Sequence, residues 1–287
     1  MNVDIICPLY NAEKYIDSLH KSFLLQKDVE ILKIRYVLTE SKDNTEKYLI
    51  DNNINYRKIK KEEFSHSLCR EKEALESKAD ILVFVTQDVV IEDNMWLHNL
   101  TKSIEKGECV AAFSRQLSKY DNIEKYTREK NYPNQSYIVS KDDLNKMGLR
   151  TFFFSDAAGA ISSKVFKELG GYDGKDLIIS EDMYIAYKII MNGYKIKYCA
   201  DSIVNHSHDF TLKEIYSRYY DTGIFFKQNS YLDKYGTNKS GSSLAKHIIK
   251  RAIQDKNIKV IIRFLPDMIA RFMGMKIGKI KGEVSYE

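Results

Sequence analysis

Through its first half the chain alternates short apolar runs with stretches whose apolar residues recur every three or four positions. VDIICPLY, residues 3–10, is rich in β-branched residues and predicts a buried strand. In the segment that follows, Tyr15, Ile16, Leu19 and Phe23 share one helical face, with Asn11 placed as its N-cap. ILKIRYVLT predicts a second strand, and DNTEKYLI a helix opened by the capping-box spacing of Asp43 and Glu46. NINYRKI is a short third strand, SLCREKEALESKA a helix, DILVFVTQD the fourth and most apolar strand, and NMWLHNLTKSIEK a further helix. This alternation predicts an α/β fold with a largely parallel sheet covered by helices. Past Cys109, CVAAFSRQL reads as a strand and FFFSDAAGAISSKVFKELGGY as a strand passing into a helix that stops at Gly170-Gly171. SEDMYIAYKIIMNGY is a helix closed by Gly193, and KIKYCADSIVNHSH a last strand. From about Leu212 onward the pattern is helical and basic.

Composition narrows the class. With 44% hydrophobic and 30% charged residues, the 287-residue chain suits a folded globular protein: one large domain, or a catalytic domain with an appendage. Four scattered cysteines without a CxxC pair read as reduced thiols of a cytosolic protein, not as a disulfide framework or zinc site. The N-terminus lacks a signal-peptide pattern, and no run approaches the roughly 20 apolar residues that span a bilayer. The net charge of +5 is unevenly placed: from Thr211 on there are 15 Lys/Arg against 7 Asp/Glu, while the residues before it carry 30 against 33. That excess points to an anionic partner for the tail, a membrane surface or nucleic acid.

The expected sheet would suit a nucleotide, yet neither GxGxxG nor GxxxxGK[ST] is present, and GxSxG is absent too. A bound nucleotide must then rely on strand ends, a metal and cationic side chains. Asp88, at the carboxyl end of the fourth strand, reads either as a turn residue or as a carboxylate over a ligand site. Glu181-Asp182 at a helix start reads as a cap or as a catalytic pair. His66 and Arg70, four apart, share a helical face that is either solvated or turned to an anion. His206 and His208, two apart at a strand end, would point to the same side.

PLYNAE, Asp88, SEDM and VNHSH, in this order, resemble the inverting glycosyltransferases of family 2, with their GT-A fold, over roughly residues 2–225. Within that family the chain is similar to the rhamnosyltransferase-like branch of bacteria: Thr86-Gln87-Asp88 stands for Asp-x-Asp, FSHSLCR (64–70) for FxHxxxR, Arg115-Gln116 for RQ, and His206-Ser207-His208 follows the acid pair. The resemblance implies Asp182 as general base with Glu181 beside it. It implies Asp88 as metal carboxylate, with His206 and His208 completing the site or meeting the diphosphate. His66, Arg70, Gln87 and Arg115 would face the donor's phosphates or sugar, and Asp156 a donor hydroxyl. Pro8, Tyr10, Asn11, Glu13, Ser41 and Asp43 would form the nucleoside pocket. The chain departs from the pattern at Ser67, Cys69 and Glu71, where Gly, Thr and Asn are usual, and at Leu38 and Thr39, where acids are common.

The resulting expectation is a GT-A catalytic domain over 1–225 and a basic helical extension over 226–287. It would use Mg²⁺ or Mn²⁺ and move L-rhamnose from dTDP-β-L-rhamnose to a hydroxyl of a lipid-linked cell-surface glycan. A UDP-hexose donor is the alternative. A nucleic-acid binder would need basic and aromatic residues interleaved on a strand platform, and here the excess charge lies outside the sheet; a non-catalytic glycan-binding protein would not need Glu181-Asp182. In residues 244–277, apolar Ile248, Ile249, Ile253, Ile261, Ile262, Leu265, Met268, Ile269 and Phe272 alternate with basic residues, Pro266 marking a break or helix start. This face either packs on the catalytic domain, forms a homodimer, or attaches to an anionic leaflet on the cytosolic side of the plasma membrane.

Overall fold

A computed structural model describes residues 1–236 and 238–282; residue 237 and residues 283–287 of the expected extension lie outside the described residues. Strands β1 (Asn2–Leu9), β2 (Glu30–Thr39), β3 (Tyr56–Ile59) and β4 (Ile81–Val85) alternate with helices α1 (Glu13–Leu24), α2 (Thr45–Asp51) and α3 (His66–Glu76), and α4 (Trp96–Glu105) follows. Then come β5 (Ala111–Leu117), α5 (Ile123–Asn131), β6 (Tyr137–Val139), α6 (Leu144–Met147), β7 (Ala158–Ser162), α7 (Ser163–Glu168), α8 (Glu181–Met191) and β8 (Ile196–Asn205). The eight strands form one sheet in the order β3-β2-β1-β4-β7-β5-β8-β6. Only β6 and β7 run against the others. Helices cover both faces: α1, α2 and α4 bury Ile16, Phe23, Leu49, Trp96 and Leu100 on one side, while α3, α7 and α8 bury Ala74, Phe166, Ile185 and Ile189 on the other.

The mostly parallel α/β architecture matches the pattern, and several local expectations change. The strand read from FFFSDAAGAIS begins only at Ala158, because the preceding residues turn back on it. A Cβ on Gly159 would lie 2.7 Å from the Ser155 carbonyl and 2.8 Å from the Phe154 ring, so only glycine admits this return. Asn11 does not cap α1. Ala12 occupies that position, and Asn11 takes a left-handed φ of 47°, a conformation asparagine tolerates better than most residues. Asp43 and Glu46 do not form a capping box either: Asn44 is the N-cap, while Glu46 binds Tyr56 and Lys58 of β3. Because β7 enters against its neighbours, the loop before it lies at the same sheet edge as the carboxyl ends of β1, β2, β4, β5 and β8. This edge collects the chemistry.

Among the described residues, α9 (Leu212–Gln228), α10 (Asn238–Gln254) and α11 (Ile258–Lys281) follow. Ile248 and Ala252 of α10 pack with Ile123 and Tyr126 of α5. α11 lies along α9 through glycines: a Cβ on Gly274 or Gly278 would collide with the carbonyl oxygens of Tyr216 and Tyr220, and one on Gly223 with that of Met275. Pro266, expected to break or start a helix, sits inside α11. The carbonyl four residues earlier belongs to Ile262, whose side chain is 72% exposed, so the bond lost at proline faces water. The apolar residues of the tail therefore divide. Ile248 is buried, but Ile253, Ile262, Leu265, Ile269 and Phe272 remain open to solvent.

Candidate active site

β4 and β8 are not sheet neighbours, yet the turn carrying Thr86, Gln87 and Asp88 reaches β8 through a pair of backbone bonds between Val90 and Asn205, each 2.9 Å. β8 stops at Asn205, so His206 and His208 stand in the loop beyond it and not on the strand as expected. They still converge on one carboxylate. His206 Nε2 lies 3.5 Å from Asp88 Oδ1, and His208 Nδ1 3.5 Å from Oδ2. One ligand atom from each residue falls within 4.8 Å of the others. Burial pushes the Asp88 carboxyl up, but the hydrogen bond and charge of His206 reverse this and hold it well below the usual carboxylate range. Burial and neighbouring His206 push the His208 imidazole down to about 4. An ionised carboxylate beside an unprotonated imidazole is the donor set a divalent cation needs.

The residue that orients His206 was not anticipated. Arg128, which can only donate, binds Gln116 Oε1, so that oxygen accepts from His206 Nδ1 at 2.9 Å and leaves Nε2 turned to Asp88. Gln116 Nε2 donates to Ser155 at 2.8 Å. Glu124 holds Arg128 and accepts the His208 backbone N–H at 2.8 Å. The alternation of β5 carried a usable signal: Arg115 and Gln116 must face opposite ways. Arg115, expected to face the donor, lies beside Tyr198 with its buried Nε unpartnered. In the metal-ligand role expected for His206, replacing Gln116 with Leu should weaken divalent-cation binding roughly 10- to 100-fold, the usual cost of removing a partner that fixes a ligating histidine. A calorimetric titration of the variant checks this, with Arg115→Leu as control.

Glu181 and Asp182 open α8, presented by a segment that α3 holds from beneath. Ser67 donates to the Lys175 carbonyl (2.5 Å) and accepts from the Leu177 N–H (2.8 Å). Glu71 accepts from the N–H groups of Tyr172 (2.6 Å) and Gly174 (3.3 Å). Two of the three departures from the expected pattern on α3, Ser67 and Glu71, thus serve to pin this segment. Arg70, only 2% exposed, places Nη1 3.3 Å from Glu181 Oε1, and His66 Nδ1 lies 4.0 Å from the same oxygen. Arg70 and His66 therefore gather around the Glu181 carboxylate. Ser180, just before the pair, has a left-handed φ of 64°, a costly conformation for serine of the kind that concentrates at functional sites. Asp182 accepts the Met183 N–H at 2.7 Å. Burial, then the charges of Glu181 and Asp156, raise its carboxyl well above the usual range. Asp156 is buried with Oδ2 on the Tyr172 hydroxyl (2.7 Å), and burial and Glu181 push it up to about 7 against the pull of Arg70.

The expected nucleoside residues knit the ends of β1 and β2 together. Gln87 clamps Tyr10 at both ends of its amide, accepting the Tyr10 N–H at 2.7 Å and donating to its carbonyl at 2.9 Å. Ser41 accepts the Asn11 N–H, Asn11 accepts the Lys42 N–H, and Asp43 accepts the Glu13 N–H. Glu13 in turn holds Asn44. Pro8 pairs with Val37 in the parallel ladder beneath. The Tyr10 side chain stays exposed. Nearby, a cavity of about 240 Å³ is lined by Tyr15, Asp88, Tyr120, His208, Phe210 and Glu214 among others.

Residues 4–170 match the pattern of glycosyl transferase family 2. The chain belongs to that family. It is 32% identical to the O-antigen chain rhamnosyltransferase RfbN of Salmonella typhimurium, over 97% of this chain and 90% of the relative. It is 34% identical to the O-antigen chain rhamnosyltransferase WbaN of Salmonella anatum, over 77% and 71%. Among solved structures, the family 2 chain resembles Staphylococcus aureus TarS 1–349 (TM-score 0.56, 16% identity, 98% of this chain and 81% of that one). It also resembles the mannosyltransferase PcManGT of Pyrobaculum calidifontis, solved with GDP-Man and Mn²⁺ (TM-score 0.60, 13% identity, 98% and 86%). The protein is thus a family 2 glycosyltransferase on the GT-A fold. Among the described residues no helix is long and apolar enough to cross a membrane.

Proposed function

We propose that this glycosyltransferase moves L-rhamnose from dTDP-β-L-rhamnose to a hydroxyl of a lipid-linked cell-surface polysaccharide precursor, with inversion to an α-L-rhamnoside. The observation that carries the reading is the pairing of two carboxylate centres at one sheet edge in a chain that is 32% identical to an O-antigen rhamnosyltransferase. Asp182 takes the acceptor hydroxyl's proton as the oxygen attacks the anomeric carbon. The bond from that carbon to the diphosphate breaks, and the nucleoside diphosphate leaves. Glu181, held by Arg70 and His66, orients the acceptor beside the base. Asp156 and Tyr172 stand behind the pair and keep its surroundings poor in water. Tyr10, Asn11, Glu13, Ser41 and Asp43 take the nucleoside, and residues 1–225 carry the reaction.

Asp88, His206 and His208 would hold a divalent cation, which neutralises charge building on a leaving diphosphate. Their chemistry favours Mn²⁺ over Mg²⁺, since Mg²⁺ prefers all-oxygen sites and retains its waters. With only three protein ligands, Mn²⁺ should bind weakly alone and far more tightly with nucleoside diphosphate present, which calorimetry with and without the nucleotide measures. Tight binding of the ion alone, or turnover undiminished in chelator, refutes that arrangement. The donor is tested by incubating the protein with a panel of nucleotide sugars and following nucleoside diphosphate release. Release from dTDP-rhamnose supports the reading, and release from a UDP-hexose alone replaces it.

A further inference from the structure

α11 presents two unlike sides. The side toward α9 is lined by glycine and by the buried Asp267, which pairs with Arg271. Along the other side Ile258, Ile262, Leu265, Ile269, Phe272 and Ile280 are each more than half exposed. A 24-residue helix extends this stripe over about 36 Å. Scattered exposed apolar residues need no explanation, whereas a continuous stripe of this length marks a contact surface. Among the described residues, the exposed surface of α11 carries no acidic group, and Lys259 and Lys276 lie within it. Lys256 just precedes its start, Lys281 closes its end, Lys246 and Lys250 lie exposed on α10, and no ion pair engages these six among the described residues.

We propose that this side of α11 lies in the headgroup region of an anionic lipid surface. Its charge decides the occupant. A second copy of the chain would bring the same lysines against themselves, whereas an anionic bilayer complements them and accepts the stripe into its acyl boundary. The surface is also coupled to the catalytic edge. Arg263 of α11 donates to the Phe210 carbonyl at 2.7 Å. Phe210 stacks on His208 with ring centroids 4.6 Å apart and shares the cavity wall with Asp88. Docking of α11 thus sets the height of the catalytic mouth above the lipid. The advantage of that height rests on the lipid-linked acceptor proposed above; the docking itself does not.

Flotation of the full chain with vesicles tests this without any substrate, so its outcome is independent of the donor assignment. The chain is expected to float with phosphatidylglycerol-containing vesicles, to be released as salt is raised, and to stay behind with pure phosphatidylcholine. Replacing Ile262, Leu265 and Ile269 together by Ser should lower vesicle partitioning roughly tenfold or more, with helical circular dichroism and nucleoside diphosphate release in solution unchanged. Lys259→Glu with Lys276→Glu should weaken binding to anionic vesicles in the same direction. Three outcomes overturn the proposal. The wild-type chain does not float with anionic vesicles, the triple-Ser variant floats as well as wild type, or sedimentation shows a wild-type dimer that the triple-Ser variant turns into a monomer.

Discussion

Asp182→Asn is expected to reduce turnover about 100-fold or more while leaving donor affinity within a few-fold, since a general base acts on the acceptor and not on the diphosphate. The amide keeps the size of the carboxylate and can still accept from the Met183 N–H, so loss of folding is not expected. Wild-type turnover should also depend on pH in a defined sense. Burial, Glu181 and Asp156 raise the Asp182 carboxyl, so its proton is held to a higher pH than an ordinary aspartate's. Turnover then falls as pH drops through that raised value and recovers above it, and Asp182→Asn should abolish this limb. The same raised pKa has a stability consequence. Folding favours the protonated form, so this contribution is present at low pH and fades as pH rises through the folded-state value. Activity and stability should therefore move in opposite directions across that window. A variant retaining more than about a tenth of wild-type turnover would remove Asp182 from the role.

Arg70→Met should cost about 3–5 kcal/mol of folding stability, the usual result of removing one partner from a buried ion pair. Arg70 is 2% exposed and Glu181 8%, so the carboxylate left behind has little access to water. Chemical denaturation measures the loss, and adding Glu181→Gln to Arg70→Met should recover part of it. The kinetic signature separates two roles. If Arg70 holds Glu181, turnover falls while donor affinity stays. If the guanidinium instead grips a donor phosphate, donor affinity falls first, and Glu181→Gln rescues nothing.

The elements of the first half were legible because short continuous apolar runs, as in residues 81–85, alternate with one-faced helical patterns, as in Ile16, Leu19 and Phe23. Asp88, His206 and His208 were legible as types, and their meeting was legible only through the family resemblance, not from the residues themselves. It depends on the Val90–Asn205 bridge, which joins segments far apart in the chain. Gln116 escaped for a related reason: its role depends on Arg128 and Glu124 of α5, in a polar stretch with a weak pattern. Arg70 and His66 share a helical face that in sequence looks the same whether it meets water or a buried carboxylate. The direction of β7 was equally hidden, since an apolar run says nothing about which way a strand enters the sheet. Asn11 suits a cap and a left-handed turn alike, and only the loop after β2 decides between them.

The position of β7 also governs the order in which the sheet can be assembled during synthesis. β1 to β4 pair among themselves, so a nascent chain can close that half as it emerges. β5 cannot join it then, because its sheet neighbours are β7, at residues 158–162, and β8, at residues 196–205. A ribosome paused before residue 158 would carry four paired strands with β4 as a raw, wholly apolar edge. Such an edge is a template for any neighbouring strand. The interval between translation of residues 85 and 158 is therefore when chains on one polysome are most exposed to pairing with each other, and when a chaperone would have the most to shield.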